Sequence, residues 1–96
     1  MIMVLIEHFL NEEGREYLPH WVDELCPIIE EFEGFQSIQR LQLIHTNPNR
    51  AHLAMRFHNL EQLKVWARSE EHNHHIEKLA PYMLQKPHSQ IFEEVD

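Results

Sequence analysis

Trp66, Ser69 and His72 follow one another at intervals of three residues. Such a triplet couples an aromatic wall to a titratable group. The Trp66 indole has a broad apolar face and one N–H that can orient a substrate oxygen. Imidazole has an ordinary pKa suited to proton transfer near neutrality, which makes His72 the candidate general base. Each has a plainer reading too. Trp66 shares a helical stripe with Leu63 and Ala67 and reads equally as core, and His72 as a cap or an interface contact. In one continuous helix positions 66 and 72 lie about 120° apart, so a helix restart at Ser69 matters to their geometry.

Two further groups carry ligand-type side chains. His72 and His75 share a helix face with Ile76 and Leu79, while His74 points elsewhere. A third metal ligand would have to come from His88, Glu71 or another strand. With no second cluster at ligand spacing, a solvated histidine-rich helix end is the better reading, and no metal is expected. The other group is Glu7, His52, Arg56 and His58. A buried Glu7 is expected to pair with Arg56 and tie two strands together. The alternative is a carboxylate of raised pKa acting as a base. The candidate site is therefore His72 as catalytic residue, with Trp66, Glu7, His52, Arg56 and His75 binding substrate. Cys26 has no cation near it in sequence and reads as packing. Two glycines, Gly14 and Gly34, provide no phosphate-cradling loop.

The elements that position these residues are legible from periodicity. Residues 2–9 are β-branched and aromatic, a strand that is apolar on both faces. Asn11 offers an N-cap, with Glu12 and Glu13 in the first turn. Leu18, Trp21, Val22, Leu25, Ile28, Ile29 and Phe32 then form a helical stripe. Pro19 and Pro27 predict a bend in that helix, and Glu33-Gly34 its end. Phe35–His45 and Ala51–His58 read as strands joined by Thr46-Asn47-Pro48-Asn49-Arg50, an antiparallel hairpin. In the second of them Ala51, Leu53, Met55 and Phe57 share one face, and His52, Ala54, Arg56 and His58 the other. Asn59 and Gln62 open a further helix, Ser69 caps a restart, Pro81 and Pro87 bracket a loop, and Ser89–Val95 closes the chain as a strand.

That order, β-α-β-β-α-β, is the ferredoxin-like arrangement with a four-stranded antiparallel sheet, one α+β domain over residues 1–96. Two helices cover one face of such a sheet. Because the first strand is apolar on both faces, the second face is expected to be shielded by another copy of the chain, giving a homodimer.

Composition sets outer bounds. Eight Lys and Arg against 16 Asp and Glu give a formal charge of −8 with histidine neutral. This balance argues against nucleic acid, which needs a positive surface, and against docking on an anionic membrane. The apolar run Met1–Ile6 stops at Glu7, too short to span a bilayer and without the pattern of a secretory signal. One cysteine fits a reducing compartment, so a cytoplasmic protein is expected. Nine histidines would move the charge to +1 if all were protonated, which makes the charge strongly pH-dependent.

The stretch Phe57 to His72, with Trp66, Ser69 and His72 at its end, resembles the Trp-x-x-Ser-x-x-His segment of antibiotic-biosynthesis-monooxygenase-type domains. The Glu33-Gly34-Phe35 step is also similar to theirs. The resemblance implies a dimeric α+β barrel, with two sheets face to face and a pocket in each subunit between sheet and helices. It implies a cofactor-independent oxygenase acting on a small aromatic or quinone-type molecule. That chemistry needs a base beside an apolar pocket, since the substrate must become an anion able to give an electron to dioxygen. Trp66 would then line the pocket and His72 serve as base or orienting donor. Haem-cleaving relatives carry a first-strand Asn and a His ten residues beyond the Trp; here Glu7 and Ile76 occupy those positions. The family also holds proteins without known activity. A non-catalytic ligand-binding or stress-response dimer is the alternative.

Overall fold

The computed structural model describes residues 1–44 and 49–95. Strand β1 spans Ile2–Leu10, helix α1 Glu12–Ile29, β2 Phe35–Leu41 and β3 Arg50–Phe57. Helices α2, Leu60–Ala67, and α3, Glu70–Leu79, follow, and a 3-10 turn at Ala80–Tyr82 leads into β4, Met83–Glu93. The four strands form one antiparallel sheet in the order β2-β3-β1-β4. This is the expected ferredoxin-like topology, with the second helical segment split in two.

Both splits and starts have local causes. Asn11 accepts from the Gly14 N–H and opens α1 with two glutamates in its first turn. Asn59 does the same for α2 through the Gln62 N–H. Ser69 caps α3, accepting from the His72 N–H at 3.1 Å. In the connection from α1 to β2, Gly34 takes φ +86°, and a Cβ there would collide with the Gln62 side chain.

Three boundaries differ from the sequence reading. Helix α1 runs through Pro19 and Pro27 without a break and stops at Ile29, before Glu33-Gly34. Strand β2 ends at Leu41, and the turn residues Thr46, Asn47 and Pro48 lie outside the described residues, as does His45. Strand β4 begins six residues before Ser89 and contains Pro87. It is an edge strand, and its pairing with β1 slips between Glu7/His88 and Phe9/Gln85. Pro87 falls in that slip, where a missing N–H breaks no ladder bond.

The core lies between the helices and one face of the sheet. Val4, Leu10, Leu53 and Phe57 come up from the strands and meet Trp21, Leu25 and Trp66 from the helices. Strict alternation along β1 puts His8 on this face as well, where it is 1% exposed. The opposite face carries Met3, Leu5, Glu7, His52 and Arg56, and no helix among the described residues lies against it. No helix among the described residues is long and apolar enough to cross a membrane.

Candidate active site

Helices α1, α2 and α3 converge over β1 and β3 around a cavity of about 30 Å³. Ile6 and Met55 form its floor, and its polar lining is His8, Trp66, His72 and His75. By volume this holds one or two water molecules. Alongside it, between α2 and β4, lies an apolar groove of about 210 Å³ bordered by Leu60, Leu63 and Ile91. Ile6, Met55, Trp66 and His72 border both spaces, and Trp66 and His72 are the polar side chains of that partition between groove and inner cavity.

The restart at Ser69 makes that partition possible. Ser69 Oγ donates to the Trp66 carbonyl at 2.7 Å and accepts from the His72 N–H at 3.1 Å. One hydroxyl thus ends the helix that carries the indole and begins the one that carries the imidazole. The rings stand edge to face, 5.3 Å apart at 88°. His72 is half-buried, and its Nδ1 meets the Asn73 amide oxygen at 3.1 Å.

Deeper in, α1 and α3 are joined by a reciprocal pair. Trp21 Nε1 donates to the His75 carbonyl at 2.9 Å, and His75 Nε2 lies 2.9 Å from the Trp21 carbonyl. The two rings stack with centroids 4.6 Å apart. His8 meets the Trp21 ring edge to face at 6.0 Å. Burial holds the His75 imidazole below its ordinary pKa, opposed in part by the bond to Trp21. Burial also pushes His8 down to about 4. Both rings are therefore neutral near pH 7.

What makes this cavity unusual is its unspent hydrogen-bonding capacity. Among the described residues, His8 Nδ1 and Nε2, Trp66 Nε1 and His75 Nδ1 are buried without a hydrogen-bond partner. Leaving such a group dry costs about 1–3 kcal/mol each, so native structures rarely do so without a reason. These four belong to residues lining one cavity, while a fifth such atom, Gln62 Oε1, lies apart from it beside Gly34.

The sequence-derived candidates divide between the two faces of the sheet. Trp66, His72 and His75 come together at the cavity. Glu7 and His52 lie on the opposite face, where Glu7 Oε2 meets His52 Nε2 at 2.9 Å and Arg50 at 3.6 Å. They border a shallow pocket there with His88. The expected Glu7–Arg56 pair does not form. In the β1–β3 register Glu7 stands opposite His52 and Met3 opposite Arg56, so Arg56 is out of reach and bonds Glu94 at 2.9 Å instead. His88 cannot complete a site with His72 and His75 across the sheet. Among the described residues no three His, Cys, Asp or Glu side chains are grouped to hold a metal ion. Cys26 is half-buried, and burial pushes its thiol pKa up, consistent with packing.

His8 and Trp21 line the cavity beyond the residues that the sequence singles out. The signal for His8 lies in the strand, where it alternates with Val4 and Ile6 and must share their face. Trp21 reads as core from its helical stripe, which it is; its second role depends on α3 being alongside.

No protein-family model matches the sequence, and no curated protein matches it. Solved structures do. A provisionally named antibiotic biosynthesis monooxygenase from Bordetella bronchiseptica superposes with a TM-score of 0.85 at 13% identity, over 98% of this chain and 96% of that one. One of the same provisional name from Nitrosomonas europaea gives 0.83 at 11% identity over the whole of both chains. A conserved protein from Methanosarcina mazei gives 0.84 at 15% identity, over 98% of this chain and 92% of that one. At such identities the likeness is one of backbone architecture. The chain has the fold of the antibiotic biosynthesis monooxygenase structures.

Proposed function

We propose that the protein is a cofactor-independent oxygenase-type enzyme for a small phenol or quinone precursor, working as a homodimer. The observation that carries this is the set of unpartnered nitrogens of His8, Trp66 and His75 around one cavity beside an apolar groove. An aromatic ring suits the groove, and a ring oxygen reaching past Trp66 would meet those nitrogens. His72, half-buried at the partition, is the group with access both to the ligand and to water. In turnover the hydroxyl of the bound ligand turns its proton to His72, which takes it and leaves a phenolate able to pass an electron to dioxygen. The overall reaction, phenol plus dioxygen to quinone plus water, balances without a cofactor. One oxygen atom becomes the new carbonyl, and the other leaves as water with the ring and hydroxyl hydrogens.

The homodimer reading rests on the uncovered sheet face, where Leu41 and Phe92 remain 44% and 43% exposed beside half-buried Met3, Leu5 and Phe9. A second copy placed face to face would cover them.

A second reading, ligand binding or a stress response without turnover, draws on one detail. His72 Nδ1 meets an amide, Asn73, where strong bases have a carboxylate. Turnover decides. With 1-naphthol and isotopically heavy dioxygen, the oxygenase reading expects a naphthoquinone carrying one heavy oxygen atom, and its loss in His72→Ala. Tight binding of phenols across a panel with no oxidised product would leave the binding reading.

A further inference from the structure

His75 is held by both of its polar ends, and the way it is held fixes where its proton sits. A carbonyl oxygen can only accept, so the 2.9 Å contact with the Trp21 carbonyl requires the proton on Nε2. In the neutral ring Nδ1 is then a bare lone pair, buried and without a partner among the described residues. The stacked Trp21 indole, bonded to the His75 carbonyl, prevents the ring from turning to offer its other edge. Trp66 supplies the complementary group, a buried N–H without a partner.

We propose that the inner cavity is a subsite for a neutral hydroxyl, which donates to His75 Nδ1 and accepts from Trp66 Nε1, with Trp21 the positioning residue that fixes His75 for this task. The inference rests on the reading of the chamber as an aromatic-ligand site and adds its specificity. A hydroxyl satisfies a lone pair and an N–H together. A carbonyl oxygen at the same place would set its own lone pairs against Nδ1, so His75 selects the reduced, hydroxyl-bearing form of the ligand over the oxidised form. No cation is required, which distinguishes the subsite from a carboxylate or phosphate site.

Two measurements test this on the intact protein. The first is the tautomer of His75 in the free protein, from long-range proton–nitrogen correlation spectra. The proton on Nε2 is expected, and a proton on Nδ1 would overturn the lock whatever the chamber binds. The second is calorimetric affinity under nitrogen for 1-naphthol and for naphthalene. The hydroxyl is expected to improve affinity about ten-fold, the equivalent of one well-formed buried hydrogen bond. His75→Phe should abolish the preference while still binding naphthalene. His75→Gln, which retains a donor for the Trp21 carbonyl and one acceptor, should restore part of it. Equal preference in the wild type and His75→Phe would overturn the subsite and leave an apolar chamber intact. Failure of both arenes to bind the wild-type protein would overturn the proposed function and, with it, the selectivity built upon it.

Discussion

The imidazole of His72 stands perpendicular to the indole of Trp66 at 5.3 Å, although six residues of one helix would turn them apart. Ser69 resolves the conflict by ending α2 and starting α3 with one hydroxyl. Spacing of the Trp-x-x-Ser-x-x-His kind is therefore a geometric device. The helix must be broken three residues after the indole for the imidazole to return to it.

Ser69→Ala removes the α3 cap and should cost about 1 kcal/mol of stability by urea denaturation. Ser69→Asp keeps a capping oxygen and should recover most of that. Ring-current shifts on the His72 protons, which report the indole edge contact, should shrink in Ser69→Ala. Unchanged stability and unchanged shifts would remove Ser69 from this role.

Acid should destabilise the fold through His8. Its pKa falls from 6.5 in the unfolded chain to about 4 in the folded one, because burial penalises the charged ring. Above pH 6.5 neither state is protonated and the full stability is present. As pH falls toward 4 the unfolded chain takes up a proton that folded His8 refuses, so stability is lost, about 3 kcal/mol in all. His75, also held below its ordinary value by burial, acts in the same direction. His8→Phe should flatten much of the decline between pH 6.5 and 4 in urea titrations. An identical slope in the variant would contradict the assignment.

Much of this arrangement was readable from residues. The alternation in residues 51–58 sorts Leu53, Met55 and Phe57 from His52 and Arg56, because strand periodicity is fixed by the pleat. Caps at Asn11, Asn59 and Ser69 are local hydrogen bonds and need no tertiary context. Cross-strand pairing does need it. Arg56 is chemically suited to Glu7, but register gives Glu7 to His52. Pro87 reads as a loop residue until an edge strand with a slip is there to receive it. The Trp21–His75 pair joins positions 54 residues apart, and no periodicity in either helix announces it.

Register also predicts which ion pairs couple. A double-mutant cycle on Glu7 and His52 should return about 1 kcal/mol of interaction, given their 2.9 Å contact on a partly covered face. The same cycle on Glu7 and Arg56 should return zero within about 0.5 kcal/mol. Coupling in the second cycle would mean that the strands pair otherwise than described.

Sedimentation bears on the homodimer. The chain should sediment at twice its 11.7 kDa at micromolar concentrations. Leu5→Lys, on the face away from the helices, should shift it toward the single chain while leaving the helix-side chamber intact. A stable single chain in the wild type would argue that the open sheet face stays wet.

The most direct measurement follows the Trp66 indole proton by NMR while 1-naphthol is added under nitrogen. Its N–H is buried and has no hydrogen-bond partner among the described residues, whereas that of Trp21 is already bonded to the His75 carbonyl. The Trp66 resonance should move downfield and saturate at one ligand per chain, with the Trp21 resonance moving far less. A Trp66 resonance that stays put while naphthol binds elsewhere would contradict the chamber as the seat of function.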